Sequence, residues 1–415
     1  MERLRKIGFS KLTSLEEALK KLFSRIQPNT TEEVEVVEAL NRVLGENIES
    51  QMNIPPFDRS AMDGYAVKAE DTFGASPNNP KKINLIGIIE IGETSDLSLK
   101  RGEGIRISTG APIPIGADAV IKIEDTEIKN EEISLYTALV PKKNISYAGE
   151  DIKQGVQILN KGTVLKAEHI ALLSSLGFRT IKVTVRPRVS VFASGDELIE
   201  PGNAIEPGKI YNSNTPMISS LVKIYGGTIV RGETVEDNKE TIKKKLIESE
   251  NDSQVIVFTG GTSVGTKDYL PDIIHEYGDV LVHGIAMRPG SPVLIGLLNQ
   301  TLIFCLPGTP VAAYICFLQI VGPTIKKILG CSNFDPRTKV IAHIKKDVPV
   351  SSLGFLHHLR VKIDIIDNQI VANPVKLKGS GVISSLTESD GIVEILPHQE
   401  GLKKWEKVIV KLFPR

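Results

Sequence analysis

The chain of 415 residues is too long for one core of ordinary size, so two to four domains are expected. Its 41 % hydrophobic and 24 % charged residues describe a folded chain and exclude a disordered one. Fifty basic and fifty acidic side chains cancel, which excludes a whole-chain field for nucleic acid or a membrane and leaves only local clefts.

The start, Met1 to Lys6, is charged, and no uninterrupted apolar stretch follows it, so it reads as mature sequence without a signal peptide. Leu15, Ala18, Leu19, Leu22 and Phe23 recur at helical spacing behind Ser14, with Glu17 three places on, which predicts a capped helix over 14–26. A second short helix is expected over 35–42. Pro55 and Pro56 then break regular structure. Short runs at Lys82–Glu90, Gly104–Ile107 and Ala119–Ile123, punctuated by Gly and Pro, predict a small β domain. A helix over Lys166–Leu176 returns the chain towards the N-terminal helices, making the first domain discontinuous.

From about 186 to 330, strand-like runs Arg188–Ala193, Thr228–Arg231, Val255–Thr259, Val280–Ala286 and Thr301–Leu306 alternate with helical stretches over 215–225, 237–249, 268–277 and 309–329. Apolar strands separated by helices signal a parallel sheet covered on both faces. The most hydrophobic stretch, Val293–Val321, is interrupted by Asn299, Gln300 and the turn from Pro307 to Pro310, which argues for a strand and a helix rather than a membrane span. After Gly330 only strands are expected, at Thr338–Ile344, His358–Ile363, Gln369–Ala372, Gly391–Ile395 and Glu406–Lys411, a C-terminal β domain. Cys305, Cys316 and Cys331 are an odd number without metal-ligand spacing, so free thiols in a reducing cytoplasm are expected.

In an open parallel sheet, ligands bind beyond the carboxyl ends of the strands. Three corners are placed there. The first runs from Phe258 to Tyr269 through Gly260, Gly261, Thr262, Ser263 and Gly265, a backbone nest leading to a helix near Asp268. Such a nest suits phosphate, with hydroxyls as further donors. Asp268 would repel a bare phosphate, so it either caps the helix or serves a metal cation or acid-handling step. The second corner is Met287-Arg288-Pro289-Gly290-Ser291-Pro292, a rigid mount for a cation facing an anion. The third is Pro307-Gly308-Thr309, followed by Pro310 in the first turn of a helix. Each alone is also an ordinary strand-to-helix turn; together they suggest an anion pocket. Ser194-Gly195-Asp196-Glu197-Leu198 brings acids to the same edge.

A Gly-x-Gly-x-x-Gly fingerprint, a Walker lysine, a zinc-type His pair and a Gly-x-Ser-x-Gly elbow are all absent. Of the histidines only His283, on the strand leading to Arg288, is kept in view. Outside the central segment, the loop Phe57-Asp58-Arg59-Ser60-Ala61-Met62-Asp63-Gly64-Tyr65-Ala66 is a tight turn or a binding loop, and 107–114 and 149–152 share its character.

These segments together resemble the molybdopterin molybdenumtransferases, the family that includes the C-terminal enzymatic domain of gephyrin. The resemblance rests on FDRSAMDGYAV at 57–67, RISTGAPIPIGADAV at 106–120, GEDI at 149–152, SGDEL at 194–198, TGGTSVGTKDY at 259–269, RPGSP at 288–292 and LPGTPVA at 306–312. It implies a multidomain α/β chain with a discontinuous helical N-terminal domain over 1–48 and 146–182 and a small β-rich domain over 49–145. A central three-layer α/β/α molybdopterin-binding domain over 183–331, its sheet mostly parallel, and a C-terminal β domain over 332–415 complete it. It implies an elongated homodimer whose cleft lies between the central domain of one subunit and the small β domain of the other. Adenylylated molybdopterin and molybdate or tungstate are the implied substrates, Mg2+ or another divalent cation the cofactor, and AMP a product. The dithiolene sulfurs of the pterin, rather than protein cysteines, hold the molybdenum.

Carried over by motif, the functional acids are Asp63, Glu197, Asp268, Asp151 and Asp237, the last with Glu236 as rival in register. Asp63, Asp268 and Glu197 are the implied metal-handling set, and Thr109 and Arg288 the anion contacts. The glycine corners (Gly260, Gly261, Thr262, Ser263, Gly265; Pro289, Gly290, Ser291; Pro307, Gly308, Thr309) hold the pterin substrate. The sequence departs from the family at RPGSP, where Ser291 replaces a common lysine, so the oxyanion side is less basic. Transient contact with the molybdopterin adenylyltransferase and with molybdoenzyme apoproteins is implied; nucleic acid and membrane are not. Two readings from other classes stand beside this one: a weakly catalytic or non-catalytic pterin-binding scaffold, and an unrelated phosphate-ligand enzyme such as a sugar or nucleotide kinase.

Overall fold

Strands made of unbroken Val, Ile, Phe and Leu runs have no face to offer water, and they form the centre of a covered sheet. In the computed structural model, which describes residues 12–93, 96–261, 269–375 and 379–414, the central elements are β1 (Arg188–Ser194), α1 (Asn214–Tyr225), β2 (Thr228–Val235), α2 (Lys239–Glu250), β3 (Val255–Thr259), α3 (Tyr269–Tyr277), β4 (Asp279–His283), β5 (Leu294–Leu298), β6 (Thr301–Leu306), α4 (Pro310–Cys316) and α5 (Gly322–Ile328). Their sheet order is β2-β1-β3-β6-β5-β4. β1 runs parallel to β2 and β3, and β3 to β6. β5 is antiparallel to both β6 and β4, a short hairpin the sequence reading did not separate from its neighbours.

Helices cover both faces. Ile218 and Val222 of α1, Ala313 and Cys316 of α4 and Ile325 of α5 pack on one side. Ile242 and Leu246 of α2 pack with Leu270, Ile273 and Ile274 of α3 on the other. Each such Leu or Ile stabilises the fold by about 1.5–3 kcal/mol. The resulting three-layer α/β/α arrangement with a mostly parallel sheet is the expected one. The stretch Pro310–Ile328 has the length and apolarity of a membrane span, but 89 % of it is buried inside the protein, which is why it is apolar on every side.

The chain divides into two compact units. The first holds the described residues of Met1–Glu46, Lys161–Lys166 and Thr180–Arg415; the second holds Asn47–Asn160 and Ala167–Arg179. In the first, the helix Leu15–Phe23 is capped by Ser14, whose hydroxyl accepts from the Glu17 N–H, and it buries Ala18 and Leu22 on the central core. The helix expected over 35–42 does not form. Thr31–Glu35 is a strand paired antiparallel with Thr180–Thr184, and only Val36–Glu38 makes a single tight helical turn. The β-branched Thr31 and Val34 favour extended backbone, and the strand's partner lies far along the chain, beyond any local signal.

The C-terminal strands Lys339–Ile344, Leu356–Ile366, Gln369–Pro374, Gly391–Ile395 and Lys407–Leu412 close on themselves, because Leu356–Ile366 pairs with both Gln369–Pro374 and Gly391–Ile395. Closure leaves fewer open edges. The second unit carries a sheet containing Gly64–Val67, Lys81–Ile89 and Glu103–Ile107. Tyr65 and Val67 face one core and Ala66 the other, the alternation of a strand buried on both sides.

Candidate active site

The carboxyl ends of β1, β3 and β6 come together. The Gly260 N–H donates to the Leu306 carbonyl at 3.1 Å, so the turn after β3 lies against the turn after β6. Gly260 has φ +94°, and any Cβ on it would collide with the Ser194 carbonyl at the end of β1. A Cβ on Gly308 would stand 3.5 Å from the Gly260 Cα. Gly260 has to be glycine here because three strand ends converge on one spot, whereas Gly308 has room for a methyl group. Gly261, also with positive φ (+63°), continues the turn. Thr262, Ser263, Gly265 and Asp268 lie outside the described residues.

Polar side chains ring these turns. The Ser194 hydroxyl donates to Asp237 Oδ1 at 2.9 Å, at the end of β1, and Glu236 accepts from Asn238 Nδ2 at 3.0 Å. Asn214, in the first turn of α1, donates to the Gly308 carbonyl at 2.7 Å. Asn212 donates to the hydroxyls of Thr215 (2.9 Å) and Thr234 (2.8 Å), tying α1 to β2. Thr259 Oγ1 and Asn214 Oδ1 are buried without a hydrogen-bond partner among the described residues. Buried polar atoms normally have partners, so both are candidate ligand contacts. Neither was named as a ligand contact in the sequence: Thr259 is the strand's last residue at the head of the 259–269 motif, and Asn214 falls just before the helix expected over 215–225.

Glu197 is exposed, and its carboxylate folds back over Gly195, where a Cβ would stand 2.6 Å from Oε2. The missing side chain gives the carboxylate room. Among the described residues no group of three or more His, Cys, Asp or Glu side chains could hold a metal ion. Mg2+ usually takes only one or two carboxylates, with waters and substrate phosphates completing its shell. An exposed Glu197 fits that requirement, and Asp63 belongs to the other unit.

The second corner departs from the central sheet. Met287 and Arg288 pair with Leu356 and His357 as an added strand of the C-terminal sheet. The Arg288 guanidinium lies 4.3 Å over the Phe355 ring and donates to Ser351 Oγ at 3.1 Å. Ser291 turns inward, its hydroxyl donating to the Met287 carbonyl at 2.6 Å, and Gly290, reached through Pro289, backs onto Cys316 of α4. Arg288 lines a cavity of about 760 Å3 with Ser351, His357, His358, Arg360 and Ser380. Burial holds the His358 imidazole below its ordinary range, and its Nδ1 faces the Arg288 carbonyl at 3.3 Å, the geometry of a neutral ring donating through Nδ1. The cavity borders the glycine corner through α4, whose Val311 N–H donates to the Ser380 carbonyl at 3.1 Å. Pro307, Gly308 and Thr309 lead into that helix, with Pro310 in its first turn. Arg360 and Ser380 escaped the sequence reading because a strand arginine and a loop serine carry no spacing signal. His283 ends β4 with its side chain exposed.

In the second unit, three separated motifs meet. Gly110 N–H donates to the Ser60 carbonyl at 2.8 Å, and Ala148 N–H to Asp58 Oδ1 at 2.8 Å. Gly149 N–H donates to the Pro55 carbonyl at 3.0 Å. Asp63 Oδ1 accepts from both the N–H (2.7 Å) and the hydroxyl (2.8 Å) of Thr109. Those bonds from Thr109, backbone first, then side chain, hold the Asp63 carboxyl below its usual range, and Arg106 adds to them. Asp151 is exposed beside them, its N–H bonded to the Ile54 carbonyl at 3.1 Å. Glu150 accepts from Ser146 and from the Tyr147 N–H, which lowers its carboxyl as well.

A carboxyl edge able to receive phosphates, acids beside it and a cation-lined cavity define a class of anion-handling α/β proteins, and comparison with known proteins narrows it. Residues 13–177 match the MoeA N-terminal region (domain I and II), 190–327 a probable molybdopterin binding domain, and 349–413 the MoeA C-terminal region (domain IV). The chain is 37 % identical over 415 residues to a putative molybdopterin biosynthesis protein of Methanocaldococcus jannaschii, covering 98 % of this chain and 96 % of that one. It is 35 % identical to the molybdopterin molybdenumtransferase of Bacillus subtilis, over 92 % and 90 % of the two chains. The crystal structure of a molybdopterin biosynthesis MoeA protein from Pyrococcus horikoshii superposes with a TM-score of 0.83 at 37 % identity, covering 97 % and 99 %. The chain belongs to the MoeA family of molybdopterin-biosynthesis proteins.

Proposed function

We propose that this chain is a molybdenumtransferase that loads molybdate or tungstate onto adenylylated molybdopterin and releases AMP and the metal-loaded cofactor. The observation that carries the reading is the convergence of Gly260, Gly308, Asn214 and the Ser194–Asp237 pair on one sheet edge, in a chain that matches a molybdopterin molybdenumtransferase nearly end to end. Backbone N–H groups in glycine turns favour phosphate, so this edge takes the adenylate side of the substrate. The cavity beside α4, with Arg288 and Arg360, takes the oxyanion. Guanidinium forks suit tetrahedral oxyanions through paired N–H donors.

A divalent cation held by Glu197 with Asp268 would supply charge neutralisation at the phosphates. Asp63, fixed by Thr109, and Asp151 are further acids of the site, contributed across a homodimer by the second copy. The dithiolene sulfurs of the pterin receive the molybdenum, which leaves the protein's cysteines no ligand role: all three are buried free thiols. A cytoplasmic location and transient contact with the molybdopterin adenylyltransferase and with apo-molybdoenzymes complete the proposal.

The test supplies purified adenylylated molybdopterin and molybdate, separately and together, and follows AMP by chromatography. AMP release only when both are present, lost in Asp268→Asn, is the expected result. Tight pterin binding with no AMP under any condition would favour the scaffold reading instead.

A further inference from the structure

The opposite, amino-terminal edge of the central sheet carries a second cavity, of about 750 Å3. It opens where β1 begins at Arg188, beside Gln254 at the start of β3 and the Asn299–Gln300 turn between β5 and β6. Ile26, Leu302 and Ile328 give it an apolar floor. Arg25, Arg186 and Arg188 line it, and no Asp or Glu is among the described residues that do.

The wall is already self-satisfied. Asn29 Nδ2 donates to Gln254 Oε1 at 3.1 Å and to the Val185 carbonyl at 3.0 Å, and Gln254 Nε2 donates back to Asn29 Oδ1 at 2.7 Å. The arginines differ: none of the three has an ion-pair partner among the described residues. Glu32, the carboxylate that acts on Arg186, is paired with Arg42, and Glu250, which accepts from Asn299 of the lining, is engaged there. Burial and Arg42 both push the Arg186 guanidinium down from its ordinary value, and Glu32 only partly opposes them. The described wall thus presents three guanidiniums and no carboxylate, and a bound anion would supply the counter-charge that it lacks. Planar guanidinium forks match phosphoryl oxygens in pairs. A concavity of this size suits a small molecule, whereas an acidic protein partner needs a broader and flatter face.

We propose that this cavity binds a small phosphorylated molecule with an apolar or planar body, at a site separate from the carboxyl edge. The phosphoryl groups meet Arg25, Arg186 and Arg188, and the body lies over Ile26, Leu302 and Ile328.

The probe is inorganic pyrophosphate, applied to the full-length protein at constant ionic strength. Phenylglyoxal labels exposed arginines, and peptide mass spectrometry reads each position separately, which distinguishes this cavity from any phosphate bound at the other edge. Pyrophosphate several-fold above its Kd slows labelling of Arg25, Arg186 and Arg188 by about fivefold, while Arg101, exposed in the other unit, is unaffected. Equilibrium dialysis of the Arg186→Gln/Arg188→Gln variant, checked for native thermal unfolding, shows one pyrophosphate fewer per chain than the parent. Unchanged labelling of the three arginines, equal slowing at Arg101, or protection by a poly-glutamate peptide but not by pyrophosphate would each overturn the assignment.

Discussion

Asp63 and Thr109 are joined twice: one carboxylate oxygen of Asp63 accepts from both the backbone N–H and the hydroxyl of Thr109. Only the second bond depends on the side chain. Thr109→Val keeps the shape and the backbone bond but removes the hydroxyl donor, so the Asp63 carboxyl titrates higher than in the parent, where it is held low. A group held low stays ionised as pH falls until its folded value is reached; in the variant that loss begins at higher pH. The acid limb of the pH–activity profile should therefore move up, and cofactor formation should fall about tenfold, the usual cost of loosening a supporting contact. Carboxyl NMR titration of Asp63 reads the first effect and AMP release the second. An unmoved acid limb would show that Asp63 does not act in the reaction.

Gly260 and Gly308 face each other, yet they differ in what a methyl group would do. At Gly260, with φ +94°, alanine is strained and meets the Ser194 carbonyl. Gly260→Ala should destabilise the fold by roughly 1–3 kcal/mol, seen as a lower urea midpoint. At Gly308 the added carbon meets only an ordinary contact, so Gly308→Ala should leave the midpoint within about 0.5 kcal/mol of the parent. Lost AMP release in Gly308→Ala at unchanged stability would then report close approach of the substrate. Equal midpoints for the two variants would refute the strain argument.

The central sheet was legible because buried parallel strands write themselves as apolar runs: Val255–Thr259 and Thr301–Leu306 fall where their composition places them. The Ser14 cap was equally local, a hydroxyl and an N–H three residues apart. What could not be read depends on distant partners. Thr31–Glu35 is extended because Thr180–Thr184 pairs with it, and Arg288 leaves the central sheet because Leu356–His357 accepts its strand. Glycine motifs announced a turn but not which turns would meet; the contact of Gly260 with Leu306 and Gly308 needs three strands assembled. The motif at RPGSP carried a cation in the sequence, while Arg360 and Ser380, which share its cavity, were silent.

Ser194 and Asp237 provide a test of positioning as distinct from chemistry. Ser194→Ala removes one hydrogen bond, a stability change of about 1 kcal/mol, and frees Asp237 to rotate. Cofactor formation should fall in Ser194→Ala and fall further in Asp237→Asn, and the double variant should resemble Asp237→Asn alone. Additive losses in the double variant would mean that the serine acts on something other than Asp237.

The C-terminal sheet holds a charged cluster whose acid response has a definite sign. Arg337 donates to both Asp335 oxygens (2.6 and 2.8 Å), and Lys411 bridges Asp335 (3.3 Å) and Glu394 (2.8 Å). Burial by itself raises both carboxyls, but for Asp335 the bonds from Arg337, and for Glu394 the bond from Lys411, outweigh it, so both end below their ordinary values. Their contribution is complete above the unfolded pKa values, about 4, and is lost as pH falls through the lower folded values. Arg337→Met should cost roughly 2–3 kcal/mol, less than for a fully buried pair because Asp335 keeps Lys411 and some water. It should also flatten the acid dependence. Urea midpoints between pH 3 and pH 7 check both, and a variant as acid-sensitive as the parent would contradict the linkage.

Arg288 stacks on Phe355 and donates to Ser351, so its guanidinium is held by a face as well as by an edge. Lysine keeps the charge but has no flat surface to stack and no fork to present. Under the proposed function, Arg288→Lys should fold like the parent, because of the two groups it would leave Ser351 is exposed and Phe355 only half-buried. The molybdate concentration giving half-maximal AMP release should rise about tenfold, the equivalent of roughly 1.4 kcal/mol, with the adenylylated pterin requirement little changed. Phe355→Leu should show the same pattern more weakly, since it removes the stacking surface and leaves the charge. If Arg288→Lys instead raised the pterin requirement and left molybdate untouched, Arg288 would belong to the pterin rather than the oxyanion, and the cavity it shares with Arg360 would need another occupant.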